Sequence, residues 1–520
     1  MPPQIYTTDQ DGDDERGALL PAVHRTTTKA KNPCRKHIIT LFSFLLITEA
    51  SNFIQIAPMT VIMESIICKN YYGDINTIST TSAQDFIDFS KSWTDDRRCK
   101  IEPVQSELAT LRGWQQLFEC LASILVAVPF GFLANKCGRK AVLALAMFGL
   151  TLARVWIQVV CWWPEIFPLR ISWLSAFCHL IGGGNLVVGS LIYTIMTDLT
   201  LPEHRASIFL FMNAAVLLAE MLVIPLAATL MRKDPWIPVN IGLATVAIGS
   251  LITISILPET VHLQDTESEE AEELERELIS EEEDPGLLSG AKRALHSSKN
   301  LLSLISVSRE TMVLMIASTL TNMDRSSTPY FMQYVSKKFD WDISEASLLT
   351  SYRAALNLIL SLVLLPVASH LFRTRLNMAT EVKDLWLTRF SASVLCIGSG
   401  LMAVAPNLFF LVSGLTIFAH GYGLSALIHS LAASVVEPRH IVILYNAMSV
   451  AETTGDFISG PILSSTFSFG QRIGKEWVGL FMMVMAFFYL IVTMAIFSIR
   501  AHDRLDPGVD ADWETRQEID

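Results

Sequence analysis

Apolar stretches of about twenty residues, each closed by a short polar turn, recur along almost the whole chain, and that length is what a helix needs to cross the hydrocarbon core of a bilayer. The pattern predicts twelve spanning helices, near 38–68, 110–134, 140–163, 169–197, 205–231, 236–257, 311–336, 344–369, 385–405, 407–436, 441–468 and 476–499. Polar intervals stand between and around them. Residues 1–37 and 501–520 read as cytosolic tails, and 69–107 reads as a long exoplasmic loop, with a helix start expected at Ser106-Glu107. From Asp265 to Asp284 the chain is dominated by Glu and Asp with no apolar face to bury, so 259–308 reads as a solvated acidic linker. The linker divides the spans into two halves, 38–258 and 309–500. The expected fold class is all-α and polytopic, with six helices in each half.

Basic residues set the orientation. Lys29, Lys31, Arg35 and Lys36 precede the first span, and Lys136, Arg139 and Lys140 fall in one tight turn, which places both termini in the cytosol. Lys337, Lys338, Arg472 and Lys475 land on the other side, so the bias is modest. No apolar segment precedes Ile38, and the first span is expected to serve as its own insertion signal.

A parallel duplication relates the halves. Pro202 and Pro438 are 236 positions apart, as are Pro225 and Pro461, and in that register His204 lies on His440, Ala215 on Ala451, Ala219 on Gly455 and Glu220 on Asp456.

The turn from Gly131 to Lys140 reads Gly-Phe-Leu-Ala-Asn-Lys-Cys-Gly-Arg-Lys between two apolar runs. It resembles the signature loop between the second and third helices of the major facilitator superfamily of secondary transporters, with Asn135 where the family usually carries Asp. Pro258-Glu259-Thr260 is similar to the tripeptide that often closes the family's sixth helix. Gly455-Asp456-Phe457-Ile458-Ser459-Gly460-Pro461 resembles the Gly-x4-Gly-Pro motif of drug/proton antiporters, but in the eleventh span; the fifth keeps only Pro225, with Ala219 and Ile224 in the glycine places. The fourth span has Cys178 and His179 ahead of Gly182-Gly183-Gly184, where the family usually places Arg. The resemblance, to fungal members, covers the chain from Ile38 to Arg500. It implies alternating access, with Gly131, Asn135, Lys136, Gly138, Arg139 and Lys140 forming a cytoplasmic latch and Gly131 letting its helix approach a neighbour closely. Gly455, Gly460 and Pro461 would be the helix motif.

Composition agrees with a membrane protein: 51% of residues are hydrophobic, 17% are charged and the mean hydropathy is +0.40. The net charge of −12 concentrates in the tails and linker, which argues for solvation and against a nucleic-acid partner. Ionisable groups inside spans carry the candidate chemistry, because each costs about 2.5–3.5 kcal/mol at a helix centre and must face a cavity or a partner. They are Glu49, Glu119, Arg154, Glu220, Asp324, Arg325, Arg353, Glu452 and Asp456, joined by His420 and His429. The family geometry favours Glu49, Asp324, Arg325, His420 and His429 as substrate or proton groups; for each, a structural ion pair is the alternative. Glu452 and Asp456 are one turn apart on a common face, an arrangement that crowds two carboxylates. Glu220 is expected beside a cation such as Arg154. Trp114, Trp162, Trp163, Trp236 and Trp477 sit near span ends as interfacial anchors.

Of 8 cysteines, only Cys68 and Cys99 share the exoplasmic side, a compartment that permits disulfides; a bridge is expected, with two free thiols as the alternative. No metal-ligand or nucleophile–base pattern occurs, and neither an enzyme nor a cofactor beyond a proton gradient is expected. Glu15-Arg16-Gly17-Ala18-Leu19-Leu20 has the spacing of an acidic-dileucine sorting signal. The expected protein is a monomeric secondary transporter in the cell membrane, with the vacuolar membrane as the alternative. It would export a small, largely apolar organic molecule such as a drug or secondary metabolite, driven by protons. Proton-coupled nutrient uptake and a non-transporting nutrient receptor are the other readings.

Overall fold

The computed structural model describes residues 35–78, 97–200, 205–257, 309–321, 323–375, 380–435 and 441–499. The tails, the 259–308 linker, the 15–20 sorting pattern and the Pro258-Glu259-Thr260 tripeptide lie outside them, except that positions 35–37 already belong to the first helix. Helices α1 Arg35–Ile78, α2 Glu102–Cys137, α3 Arg139–Trp162, α4 Ser175–Gly182, α5 Gly184–Leu199, α6 Arg205–Met231 and α7 Trp236–Ile256 build the first half. The second half contains α8 Arg309–Thr321, α9 Met323–Phe339, α10 Ile343–Ile359, α11 Leu365–Arg375, α12 Thr380–Ala403, α13 Leu408–Ala419, α14 Leu424–Val435, α15 Ile441–Ile473 and α16 Leu480–Phe497. A π turn at Leu360–Leu364 joins α10 to α11. No strand occurs among the described residues.

Three boundaries depart from the sequence reading. The first helix runs ten residues beyond 68, because Cys68 is bonded to Cys99 and the Tyr72 hydroxyl donates to the Arg98 carbonyl at 3.1 Å, tying the extension to a short 3-10 turn, Arg97–Lys100. The second starts at Glu102 rather than at Ser106, with Pro103 in its first turn, where a missing N–H costs no helical bond. The fourth is broken: Gly183 and Gly184 take φ of 81° and 68°, a region that residues with a Cβ rarely enter, and α4 ends as α5 begins.

Among the described residues, nine helical segments are long and apolar enough to cross a bilayer. Three others fall short in composition or continuity: α2, α8 with α9, and α15. They carry Arg112, Gln115, Gln116 and Glu119, then Asp324 and Arg325, then Glu452 and Asp456. So polar a helix persists in lipid only when its neighbours shield it. Conversely, large apolar side chains turn outward elsewhere, with Leu251 70% and Phe409 74% exposed, which suits hydrocarbon as the surrounding solvent. Trp162, Trp163 and Trp477 are also about half exposed at helix ends, as interfacial anchors would be.

The Cys68–Cys99 bond marks one end of the bundle and the Gly138 turn marks the other. At the disulfide end, one apolar cluster joins Ala57, Val61, Ala109 and Met231 of the first half to Leu349, Leu463 and Phe467 of the second. The cluster around the basic turn, including Phe44, Phe130, Leu143, Leu199 and Met212, is built from first-half residues alone among the described ones. Polar contacts across the seam follow the same gradient. Lys100 Nζ donates to the Trp341 carbonyl at 2.7 Å, Ser468 Oγ to the Ser106 carbonyl at 3.3 Å and Ser351 Oγ to the Met221 carbonyl at 2.6 Å. The halves are therefore packed together at the disulfide end.

Candidate functional site

Two helix pairs form the seam, α2 with α15 and α6 with α10, each pair drawing one helix from each half. Glycine permits the first. A side chain at 460 would meet the Gly113 carbonyl at 3.2 Å, one at 113 would meet the Ser464 side chain, and one at 455 would collide with the Thr319 carbonyl. The Gly-x4-Gly-Pro segment thus packs α15 against α2 on one side and α8 on the other. Gln116 of α2 uses the closeness, donating to Ser326 Oγ at 2.6 Å and to the Asp456 carbonyl at 3.5 Å.

The second pair is held by charge. Arg353 lies on the polar face of α10 with buried Ser347, Thr350 and Asn357. Its Nη1 meets Asp324 Oδ1 at 2.6 Å and its Nη2 meets Glu220 Oε1 at 3.3 Å, with Thr328 Oγ1 at 3.4 Å. The Arg353 and Glu220 side chains are 11% and 12% exposed. A buried ion is tolerated only when paired and hydrogen-bonded, and Arg353 is both. Nearby, the Tyr422 hydroxyl donates to Asn213 Oδ1 at 3.1 Å, a further link between halves. Glu220 therefore has Arg353 as its cation and not Arg154, because α6 crosses α10 while Arg154 turns toward α1.

Arg154 and Glu49 belong to a separate network within the first half. Arg154 donates to Ser51 Oγ at 2.6 Å and to Asn52 Oδ1; Asn52 in turn donates to Glu49 Oε2 at 3.4 Å. Glu119 accepts from Gln115 at 3.0 Å and from Ser175 at 2.9 Å.

In the second half, Glu452 accepts from Ser425 Oγ at 3.1 Å and stands 3.8 Å from His429 Nε2, while His429 Nδ1 bonds the Ser425 carbonyl at 2.9 Å. His420 turns its Nδ1 back to the Thr416 carbonyl at 2.7 Å. Asp456 Oδ1 is buried without a hydrogen-bond partner. Arg325, in the first turn of α9, is exposed and forms no ion pair or hydrogen bond among the described residues.

At the basic turn, Gly138 takes φ 97° and separates α2 from α3; Lys136 is exposed and Arg139 is 6% exposed. The close approach expected at Gly131 is not made, for nothing lies within 4 Å of where its Cβ would stand. With the halves joined at the disulfide end, α2 has no neighbour at Gly131 among the described residues. The Asn135 side chain lies outside the described residues.

Further polar residues are buried or bonded within the bundle without a signal as strong as a charge in mid-span. Gln116 is one; its signal is that Arg112, Gln115, Gln116 and Glu119 share a helical face. Asp384 is another: it accepts from Ser430 at 2.8 Å at the N-terminal end of α12. Gln333 is fully buried with neither amide atom hydrogen-bonded. Among the described residues no group of three His, Cys, Asp or Glu side chains could hold a metal ion.

Comparison with known proteins adds three findings. The sequence profile described as Major Facilitator Superfamily matches residues 109–460. "Efflux pump ustT" of Aspergillus flavus is 31% identical over 449 residues, covering 85% of this chain and 84% of that protein. "MFS efflux pump atnC" of Emericella nidulans is 27% identical, covering 91% and 90%. Among solved structures, the human organic anion transporter MFSD10 superposes with a TM-score of 0.56 at 15% identity, covering 89% of this chain and 99% of that one. The nucleoside transporter NupG gives 0.54 at 13% identity, covering 89% and 99%.

Proposed function

This chain belongs to the Major Facilitator Superfamily and is a multi-pass membrane transporter rather than an enzyme, and on that premise we propose that it is a proton-coupled exporter of a small organic molecule. The observation that carries the direction is the relationship, over most of both chains, to fungal proteins named efflux pumps. Twelve spans with both termini in the cytosol put the disulfide end outside and the basic turn inside, in keeping with the oxidised pair at that end. The conformation then opens toward the cytosol, the side from which an exporter loads. Half-buried carboxylates supply proton sites: Asp456, with one buried and unpartnered oxygen, and Glu452, one turn from it and 3.8 Å from His429. Arg325, exposed halfway through the membrane, is the group most available to a substrate. The transporter works as a monomer in the cell membrane. Opening at the disulfide end would bring α2 toward the second half at Gly131, and Arg139 and its neighbours would then form the inner latch.

Export from a pump-deficient host measures this directly. Cells loaded with a panel of fluorescent organic compounds should lose at least one faster when they express the protein, and a protonophore should abolish the difference. Faster entry in place of exit would replace export by uptake, and equal retention of every compound at equal surface expression would contradict the proposal.

A further inference from the structure

We propose that Lys100 is a gating residue of the transport cycle and that the Cys68–Cys99 disulfide is what positions it; the inference rests on the disulfide end facing outward. Lys100 is only 8% exposed, and its ammonium donates at 2.7 Å to the backbone carbonyl of Trp341, in the opposite half. That acceptor is fixed, because the same carbonyl takes the Ser336 hydroxyl at 2.7 Å while the Trp341 N–H donates to the Ser336 carbonyl at 3.1 Å.

The donor is fixed as well. Lys100 ends a four-residue 3-10 turn, and the two residues before it are tied down three times. Cys99 is bonded to Cys68 of α1, its carbonyl accepts from Gln105 Nε2 at 3.2 Å, and the Arg98 carbonyl accepts from Tyr72 of α1. The Gln105 amide also donates to buried Glu64 of α1. A flexible four-carbon side chain is thus mounted on a turn tied to α1 and α2 at three points.

Other charge pairs across this end contribute less. Arg472 with Glu102 at 3.5 Å and Arg232 with Glu345 at 3.7 Å have side chains 71% and 35%, and 57% and 44%, exposed, so water and salt screen them. The Lys100 bond is shielded from water and involves an ionised donor, the stronger kind of hydrogen bond. It can exist only while the disulfide end is shut, since parting the halves carries the Trp341 carbonyl away and leaves a shielded ammonium without that acceptor. Lys100 therefore biases the cycle toward the state that is closed outside, and the disulfide keeps it in reach.

Ser468, 8% exposed and bonded across the seam to Ser106, reports the gate. In a Ser468→Cys parent in intact cells, a membrane-impermeant maleimide should react slowly from outside. Lys100→Met should raise the rate at position 468 about tenfold, the effect of losing a hydrogen bond to a charged group, while Lys100→Arg should stay near the parent. The double variant Cys68→Ser/Cys99→Ser should open the gate similarly, and adding Lys100→Met to it should bring no further rise. Parental rates in Lys100→Met overturn the gating role, and parental rates in the double variant overturn the positioning role. Reducing the folded parent with an impermeant phosphine, then quantifying the label at position 468 by peptide mapping, keeps the test free of folding defects; no increase there also overturns the positioning role. Labelling of Cys137 from outside would instead overturn the orientation, leaving the seam contacts as they stand.

Discussion

Arg353 is the residue on which the seam leans most. Its guanidinium is shared between Asp324 in its own half and Glu220 in the other, at 2.6 Å and 3.3 Å. Removing the cation leaves buried Glu220 without its counter-charge and costs Asp324, whose side chain is 25% exposed, its shorter contact, a loss on the order of 3–5 kcal/mol. Arg353→Met should therefore lower folded yield and thermal midpoint far more than Glu220→Gln, which leaves the shorter Asp324 contact in place; size-exclusion after heating in detergent would show it, and equal losses would contradict the ranking. Asp456, Glu220's counterpart in the duplication, has an unpartnered buried oxygen and a second carboxylate one turn away. Asp456→Asn should change how transport depends on external pH, and Glu220→Gln should mainly reduce the amount folded; superimposable pH profiles for wild type and Asp456→Asn would remove the proton role. Which residues are ionisable inside spans was legible in the sequence. Who pairs with whom was not, because the crossing of α6 and α10 decides it, and it gives Glu220 a partner 133 positions away. Gln116 carries no charge, so its cost in a span is small and only its place on the Arg112–Glu119 face marks it.

At the scale of elements, small residues mark where helices can touch, and Gly455 of α15 and Gly131 of α2 behave oppositely. Gly455 faces the Thr319 carbonyl, backbone that cannot step aside as a side chain could, so Gly455→Ala should cost about 1–3 kcal/mol by overpacking. Gly131 faces open space, and Gly131→Val should fold as well as wild type. If the basic-turn end closes during the cycle, however, that valine meets the second half, and turnover should fall at unchanged surface level. Equal turnover would show that α2 stays apart from the second half at this position throughout. Helix positions follow closely from hydrophobic run length, even for the polar helices α2 and α15. Run length could not register the break at Gly183-Gly184, which leaves the segment equally apolar, nor the extension of α1, which depends on a disulfide and a tyrosine contact with residues about thirty positions away.

For the whole molecule, each half meets the other through two helix pairs, α2 with α15 and α6 with α10. Among the described residues the first half joins the second's apolar cluster through Ala57, Val61, Ala109 and Met231, toward the disulfide end, while the cluster at the basic turn holds first-half residues alone. A transporter of this form must be able to exchange that arrangement for its converse. The family loop and the repeat made two rocking halves expected from the sequence; which end is shut could not be read there, because the same residues serve both states. Alternating access requires the two ends of one helix pair to open in turn, and distances along that pair follow it. Spin labels replacing Glu102 and Arg472, whose side chains lie 3.5 Å apart, report the disulfide end of α2 and α15, and labels at Lys136 and Ser449 report the other end. In liposomes, as pH and a transported compound are varied, the first distance should lengthen in the same fraction of molecules in which the second shortens. Two fixed distances under every condition, or two that lengthen together, would contradict the account.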